Sequence, residues 1–180
     1  MTGAARATEG CWGGRGDRYG ARVDCEAVTN AYIIAMHDLY HPRIFELAGD
    51  IARVGRLAAP GGTSTKVSKI CGSVVTVDLT LDGDVIADFA IEVEACALGQ
   101  ASASVLAQHA VGATVAEIVA ARDALKTMLK ENGPPPGGRF WELRHLEGVR
   151  AYPPRHTSTL LAYEAAVAAI EDARARALVG

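Results

Sequence analysis

Two cysteines, Cys71 and Cys96, bracket a segment that alternates in hydrophobicity and turns at Asp82-Gly83-Asp84. A β-hairpin folds its two ends back beside each other, so thiols distant in sequence are expected to be close in space. Paired thiols at one end of a small sheet suit metal binding, sulfur transfer or redox chemistry. Cys96 precedes a predicted helix, and the partial positive charge of a helix start favours thiolate, the metal-binding and nucleophilic form. Gly72 beside Cys71 allows close backbone approach. His156 opens the last predicted helix, and two thiolates with one imidazole make three ligands of a tetrahedral site. Plainer readings stand beside these. A free cysteine also packs as a small hydrophobe, and a histidine near a helix start is usually an exposed polar residue. The chain has no C-x-x-C pair, although a Cys71–Cys96 disulfide is compatible with the expected proximity. Spacing alone leaves metal, redox and packing open.

The elements that position these residues follow from periodicity. Val75, Val77, Leu79 and Leu81 share one face of the first hairpin strand, with Thr76, Asp78 and Thr80 opposite. Val85, Ala87, Phe89, Ile91 and Val93 repeat the pattern in the second strand. Strict alternation predicts one face on a core and one in water, which makes Asp78, Asp88, Glu92 and Glu94 a solvated row. Upstream, Leu39, Ile44, Leu47, Ile51 and Val54 recur at helical spacing and predict a helix from Asp38 to near Gly55, with Pro42 in its first turn. Pro60 to Thr65 reads as a loop and Lys66 to Ile70 as a short edge strand. Downstream, a helix is predicted over Gln100 to Val111, stopped by Gly112. Thr114 and Glu117 form a capping box that opens a helix over Val115 to about Ala120. Another helix covers Arg122 to Glu131. Phe140 to His145 carries no clear period, and the last helix runs from about Thr157 to Ala175.

Composition narrows the class. The 180 residues are 49% hydrophobic and 22% charged, with a net charge of −3, which fits one globular domain with a real core. Mild acidity gives no footprint for nucleic acid. No apolar run reaches a membrane span, and no signal peptide core is visible, so the expected compartment is the cytoplasm. Four cysteines in such a chain do not read as a disulfide framework. Residues 1–35 look foreign to the rest: Met1 to Arg22 is Gly-, Ala- and Arg-rich without period. A disordered or non-native extension is expected there, with a start at Met36, a domain over 36–175 and a tail over 176–180. Cys11 and Cys25 fall in the extension and receive no role. His37, His41, His109 and His145 read as surface or core residues.

The segment from Met36 to about Ala173 resembles the NifU N-terminal family of iron–sulfur cluster scaffolds, which includes the IscU and SufU types. The resemblance rests on Asp38-Leu39-Tyr40-His41-Pro42-Arg43, Cys71-Gly72, the strand pair, and Ala95-Cys96. Ala101-Ser102-Ala103-Ser104, Gly112-Ala113-Thr114 and Arg155-His156-Thr157 complete it. The insertion from about Lys130 to Gly148 is similar to the SufU type. The resemblance implies an α+β fold: a small, mostly antiparallel three-stranded sheet with helices packed on one face. It implies a site of three cysteines and an Asp that holds zinc, iron or a nascent [2Fe–2S] cluster. It also implies sulfur delivery by a cysteine desulfurase, with Cys96 as a possible acceptor, and transfer to apo iron–sulfur acceptor proteins.

Two family positions are altered. Ser73 stands where the Asp is expected, and Thr157 where the third cysteine is expected just after His156. Cys71, Cys96 and His156 remain as ligand candidates, and hydroxyls are poor ligands beside thiolate. Three routes follow: a homodimer sharing one cluster, an external thiol completing the site, or a degenerate scaffold that binds zinc or iron weakly or not at all, in the last case a module that only binds partners.

Overall fold

The computed structural model describes residues 41–179, within a compact unit that runs from Leu39 to Gly180. The expected extension over 1–35, the start at Met36, and Cys11, Cys25 and His37 lie outside the described residues. Three strands, β1 (Gly62–Val67), β2 (Val74–Asp82) and β3 (Val85–Glu94), form one antiparallel sheet in the order β1-β2-β3. Around it are helices α1 (Pro42–Gly49), α2 (Ala97–His109), α3 (Val115–Glu131) and α4 (Pro153–Ala177), with a 3₁₀ segment over Gly138–Ala151. This is the α+β architecture expected from the sequence.

The hairpin registers Val77 against Ile91 and Leu79 against Phe89, and these four side chains are buried. The alternation slips once. Thr80 pairs with Asp88 but Leu81 pairs with Ile86, so Ala87 is an extra residue. The slip buries Ile86 and leaves Val85 and Ala87 exposed, contrary to the predicted face. The turn after α2 takes up the freed edge: Ile86 N–H donates to Ala113 O at 2.9 Å and Gly112 N–H to Ile86 O at 2.9 Å.

The row of acidic residues is not uniformly solvated. Asp88, Glu92 and Glu94 are exposed, but Asp78 is buried. Arg56 Nε and Nη2 donate to its two oxygens at 2.7 and 2.9 Å, Thr63 Oγ1 donates at 2.6 Å and Leu57 N–H at 3.1 Å. Burial pushes the Asp78 carboxyl up, and these four donors outweigh it to hold the group below its ordinary value. The carboxylate fastens the segment before β1 to the middle of the sheet.

Three element assignments differ from expectation. α1 ends at Gly49 and not near Gly55, because the following segment turns at Arg53 (φ 56°) to bridge β3: Ile91 N–H donates to Arg53 O and Gly55 N–H to Ile91 O, both at 3.0 Å. β1 starts at Gly62, inside the predicted loop, since Thr63 and Thr65 pair with Asp78 and Thr76. The two helices expected over 115–131 are one. It is opened by the capping box, with Glu117 N–H to Thr114 Oγ1 at 3.2 Å and Thr114 N–H to Glu117 Oε2 at 2.8 Å. It is closed by Asn132 in the left-handed conformation.

α4 runs along β1. The fourteen helical residues from Ser158 to Glu171 span about 20 Å, and the seven residues from Gly62 to Ser68, which comprise β1 and the residue after it, span about the same. Thr63 N–H donates to Asp172 Oδ2 at 2.9 Å at one end of this pairing, which places the start of α4 at the other end, beside the β1–β2 loop. Among the described residues no helix is long and apolar enough to cross a membrane.

Candidate thiol site

The register puts both cysteines at one end of the sheet. Cys71 lies in the loop between β1 and β2, and Cys96 follows β3 as the residue capping α2. Since Val67 pairs with Val74 and Val74 with Glu94, the two chain segments leave the sheet side by side. The loop is closed by Ser68 N–H to Ser73 O and Gly72 N–H to Ser68 O, both 2.8 Å, and Gly72 supplies the positive φ of 71° that the turn needs.

Three serines line the thiols. Cys71 Sγ is 3.2 Å from Ser68 Oγ and 3.1 Å from Ser73 Oγ, and Cys96 Sγ is 3.7 Å from Ser158 Oγ. Ser68, Ser73 and Ser158 are all buried, whereas Cys71 is exposed and Cys96 half-buried. Hydrogen bonding by the Ser68 hydroxyl, then by that of Ser73, lowers the Cys71 thiol from 9.0 to about 7 against the opposing effect of burial. The Ser73 N–H and the Ser158 hydroxyl add to the lowering. Ser158 therefore serves both thiols, and its Oγ also reaches Arg155 O at 3.0 Å. The arrangement stabilises a thiolate with hydroxyl and N–H dipoles and without a cation.

Close helix packing sets this geometry. A Cβ on Gly99 of α2 would lie 2.8 Å from Ala95 Cβ and 3.1 Å from Ser158 O. Only glycine lets α2 approach α4 there, which brings Cys96 to Ser158.

His156 is placed differently from expectation. α4 begins at Pro153, so His156 lies inside its first turn, buried, with Nε2 3.2 Å from both Val149 O and Arg150 O. A ring N–H shared between two carbonyls ties the 3₁₀ segment to α4. Among the described residues no three His, Cys, Asp or Glu side chains gather in a metal-holding group, so the set Cys71–Cys96–His156 is not assembled. The α4 side chain that hydrogen-bonds to the thiols is Ser158, one residue on from Thr157. Sequence reasoning missed Ser68 and Ser158. The signal for Ser158 was the small-residue stripe Ser158, Ala162, Ala165 and Ala169, which marks the close-packed line of the helix.

A three-stranded antiparallel sheet with helices on one face and a dithiol at its end defines a class of small thiolate-bearing α+β domains. The family model described as NifU-like N terminal domain matches residues 39–178, and the chain belongs to that family. It is similar to the iron-sulfur cluster assembly scaffold protein IscU of Streptococcus pyogenes serotype M1, 29% identical over 101 residues, 56% of this chain and 64% of that protein. The chain thus spans somewhat under two thirds of that relative's length. A NifU-like N-terminal protein of Brucella abortus has the same fold with TM-score 0.77 and 50% identity, over 78% of this chain and 98% of that one. A putative SUF-system scaffold protein of Fervidobacterium islandicum AW-1 shares the fold at TM-score 0.66 and 23% identity, over 72% of this chain and 94% of that one.

Proposed function

We propose that this chain is an iron–sulfur cluster assembly scaffold that binds iron or a nascent [2Fe–2S] cluster through Cys71 and Cys96 and passes sulfur or cluster to apo acceptor proteins. The observation that carries the reading is the pair of thiols sharing Ser158, one of them with a pKa of about 7. Thiolates are the ligands that iron, and also zinc, prefer. Reconstitution without oxygen, using ferric iron, sulfide and a dithiol reductant, tests it. The wild type is expected to gain iron, sulfide and charge-transfer absorbance that the Cys71→Ala/Cys96→Ala double variant does not. Equal uptake by both ends the reading.

The acidified thiol favours a second reading, in which sulfur from a cysteine desulfurase is accepted by Cys71, where sequence pointed to Cys96. The Cys71 thiolate attacks the terminal sulfur of the donor persulfide. The donor's S–S bond breaks as the new one forms, and the donor cysteine leaves as thiolate. Labelling by a desulfurase charged with ³⁵S-cysteine is expected to survive metal chelation and to quicken as pH rises through about 7. It should be lost in Cys71→Ala and kept in Cys96→Ala; the opposite pattern assigns the step to Cys96.

A further inference from the structure

β1 is an edge strand: the sheet runs β1-β2-β3, and no described strand lies beyond β1. In an antiparallel ladder every second residue turns its N–H and C=O to the neighbour, and the others turn theirs away. Two bonds fix which residues do which. Ser68 N–H donates to Ser73 O, so Lys66, Ser64 and Gly62 also face β2. Thr63 N–H donates to Asp172 Oδ2 at 2.9 Å, away from β2, so Thr65 and Val67 also turn outward. Among the described residues nothing bonds to the N–H or C=O of Thr65 or Val67. Both residues are exposed, Val67 to 57%. Four unpaired backbone groups in a row, bare to solvent, are a template for one more strand.

The surroundings select the strand. The Asp172 carboxylate occupies the place of a partner carbonyl opposite Thr63, so an added strand stops there and pairs with Thr65, Lys66 and Val67. A Cβ on Gly62 would meet Ala169 O, so the even-numbered residues of β1 face α4. Lys66 stands on that side, partly exposed, and forms no ion pair among the described residues. The added residue opposite Lys66 forms a non-hydrogen-bonded pair with it, side chains about 5 Å apart. A carboxylate there meets the ammonium. A second copy of β1 fits badly: the register that uses all four groups sets Thr65 against Val67 and Lys66 against Lys66, and like charges directly opposite destabilise a pair. On the other face Val67 lies beside Val74 and Thr65 beside Thr76. An apolar residue opposite Val67 and a threonine opposite Thr65 extend these two rows.

We propose that β1 takes up an extended segment of a partner polypeptide as a fourth, antiparallel strand, with an acidic residue of that segment on Lys66. Read from its N-terminus, the segment is apolar opposite Val67, acidic opposite Lys66 and threonine or another β-branched residue opposite Thr65. Its first and third residues exchange N–H···O=C bonds with Val67 and Thr65. Main-chain bonds hold such a strand, and the side chains of alternate residues make it specific. The docking uses no thiol and goes beyond the scaffold reading, on which it does not depend.

The test titrates the full ¹⁵N-labelled chain with the peptide acetyl-Ser-Val-Glu-Thr-Ser-amide and reads amide shifts and hydrogen exchange. Saturable shifts at Thr65 and Val67 are expected, with a Kd below about 1 mM. Exchange of these two amides should slow at least tenfold at saturation. Thr65→Pro removes one outward N–H and no bond to β2, and is expected to weaken binding at least tenfold. Lys66→Glu keeps every backbone group. It is expected to weaken binding of this peptide about fivefold and to strengthen binding of the same peptide carrying Lys in place of Glu. Cys71→Ala/Cys96→Ala is expected to bind as the wild type does. Absence of saturable shifts at Thr65 and Val67 up to about 5 mM peptide overturns the added strand. Equal binding of the Glu and Lys peptides by wild type and Lys66→Glu overturns the role of Lys66. Protection of the Thr65 and Val67 amides before peptide is added shows β1 already paired and overturns the choice of occupant. Loss of binding in the cysteine double variant moves the peptide to the thiols and overturns the site.

Discussion

Ser158→Cys is expected to raise the affinity of the site for Zn²⁺ about a hundredfold. Ser158 Oγ lies 3.7 Å from Cys96 Sγ and also contributes to the acidity of Cys71. A sulfur in its place therefore becomes a third thiolate at the point where both existing thiols converge. Four-ligand structural zinc sites bind with about 10–16 kcal/mol, roughly 3 kcal/mol per ligand. That corresponds to about two orders of magnitude in Kd. Competition titration against a zinc-responsive dye measures it. Thr157→Cys is the comparison, because Thr157 is the neighbouring position of the helix and the helix's thiol contacts are those of Ser158. A gain in Thr157→Cys equal to that in Ser158→Cys contradicts the placement of the site.

Gly62→Ala is expected to destabilise the fold by about 3 kcal/mol or more, the upper range for forcing added volume into packed structure. A Cβ at Gly62 would stand 2.1 Å from Ala169 O, 2.6 Å from Ala173 N and 2.7 Å from Ala173 Cβ. Two of these three atoms are helix backbone and cannot rotate away, so β1 must part from α4. That same pairing carries the β1–β2 loop to the start of α4, so the loss should reach the thiol site as well. Urea unfolding measures the effect, with Gly61→Ala as the reference. At Gly61 the nearest atoms are 3.5 Å away, and a change within about 1 kcal/mol is expected there. Equal stability of the two variants contradicts the close approach of β1 and α4.

Much of the scaffold was legible because local chemistry dictated it. Asp82-Gly83 marked the hairpin turn, and Thr114 with Glu117 marked the start of α3; both are short-range signals that tertiary contacts did not override. Cys71 and Cys96 were legible as a pair because the period-two alternation between them required their segments to return together. The features that escaped reading are those set by distant partners. Ala87 bulges because Ile86 is claimed by Ala113 and Gly112. Asp78 is buried because Arg56, 22 residues upstream, covers it. α1 stops early because Arg53 and Gly55 bond to β3. Ser158 escaped for another reason: α4 is buried on nearly every side from Ser158 to Ala173, so the small-residue stripe that includes Ser158 does not stand out from its surroundings.

The altered positions gain a physical meaning from this geometry. Serine at 73 keeps a hydrogen-bonding oxygen against Cys71 without a formal charge, and Ser158, next to Thr157, sets its oxygen against Cys96. The result is a site that readily gives up the Cys71 proton near neutrality yet, among the described residues, lacks a full ligand set.

The central claim is that Cys71 and Cys96 form one site. Phenylarsine oxide tests it most directly, because its arsenic forms two As–S bonds, with loss of one water, only to thiols that can reach the same atom. With Cys11→Ser and Cys25→Ser in place, one equivalent is expected to give a single adduct per chain and to block alkylation of Cys71 and Cys96 together. Either Cys71→Ala or Cys96→Ala should abolish the stable adduct. Both cysteines remaining open to alkylation after treatment would contradict the account.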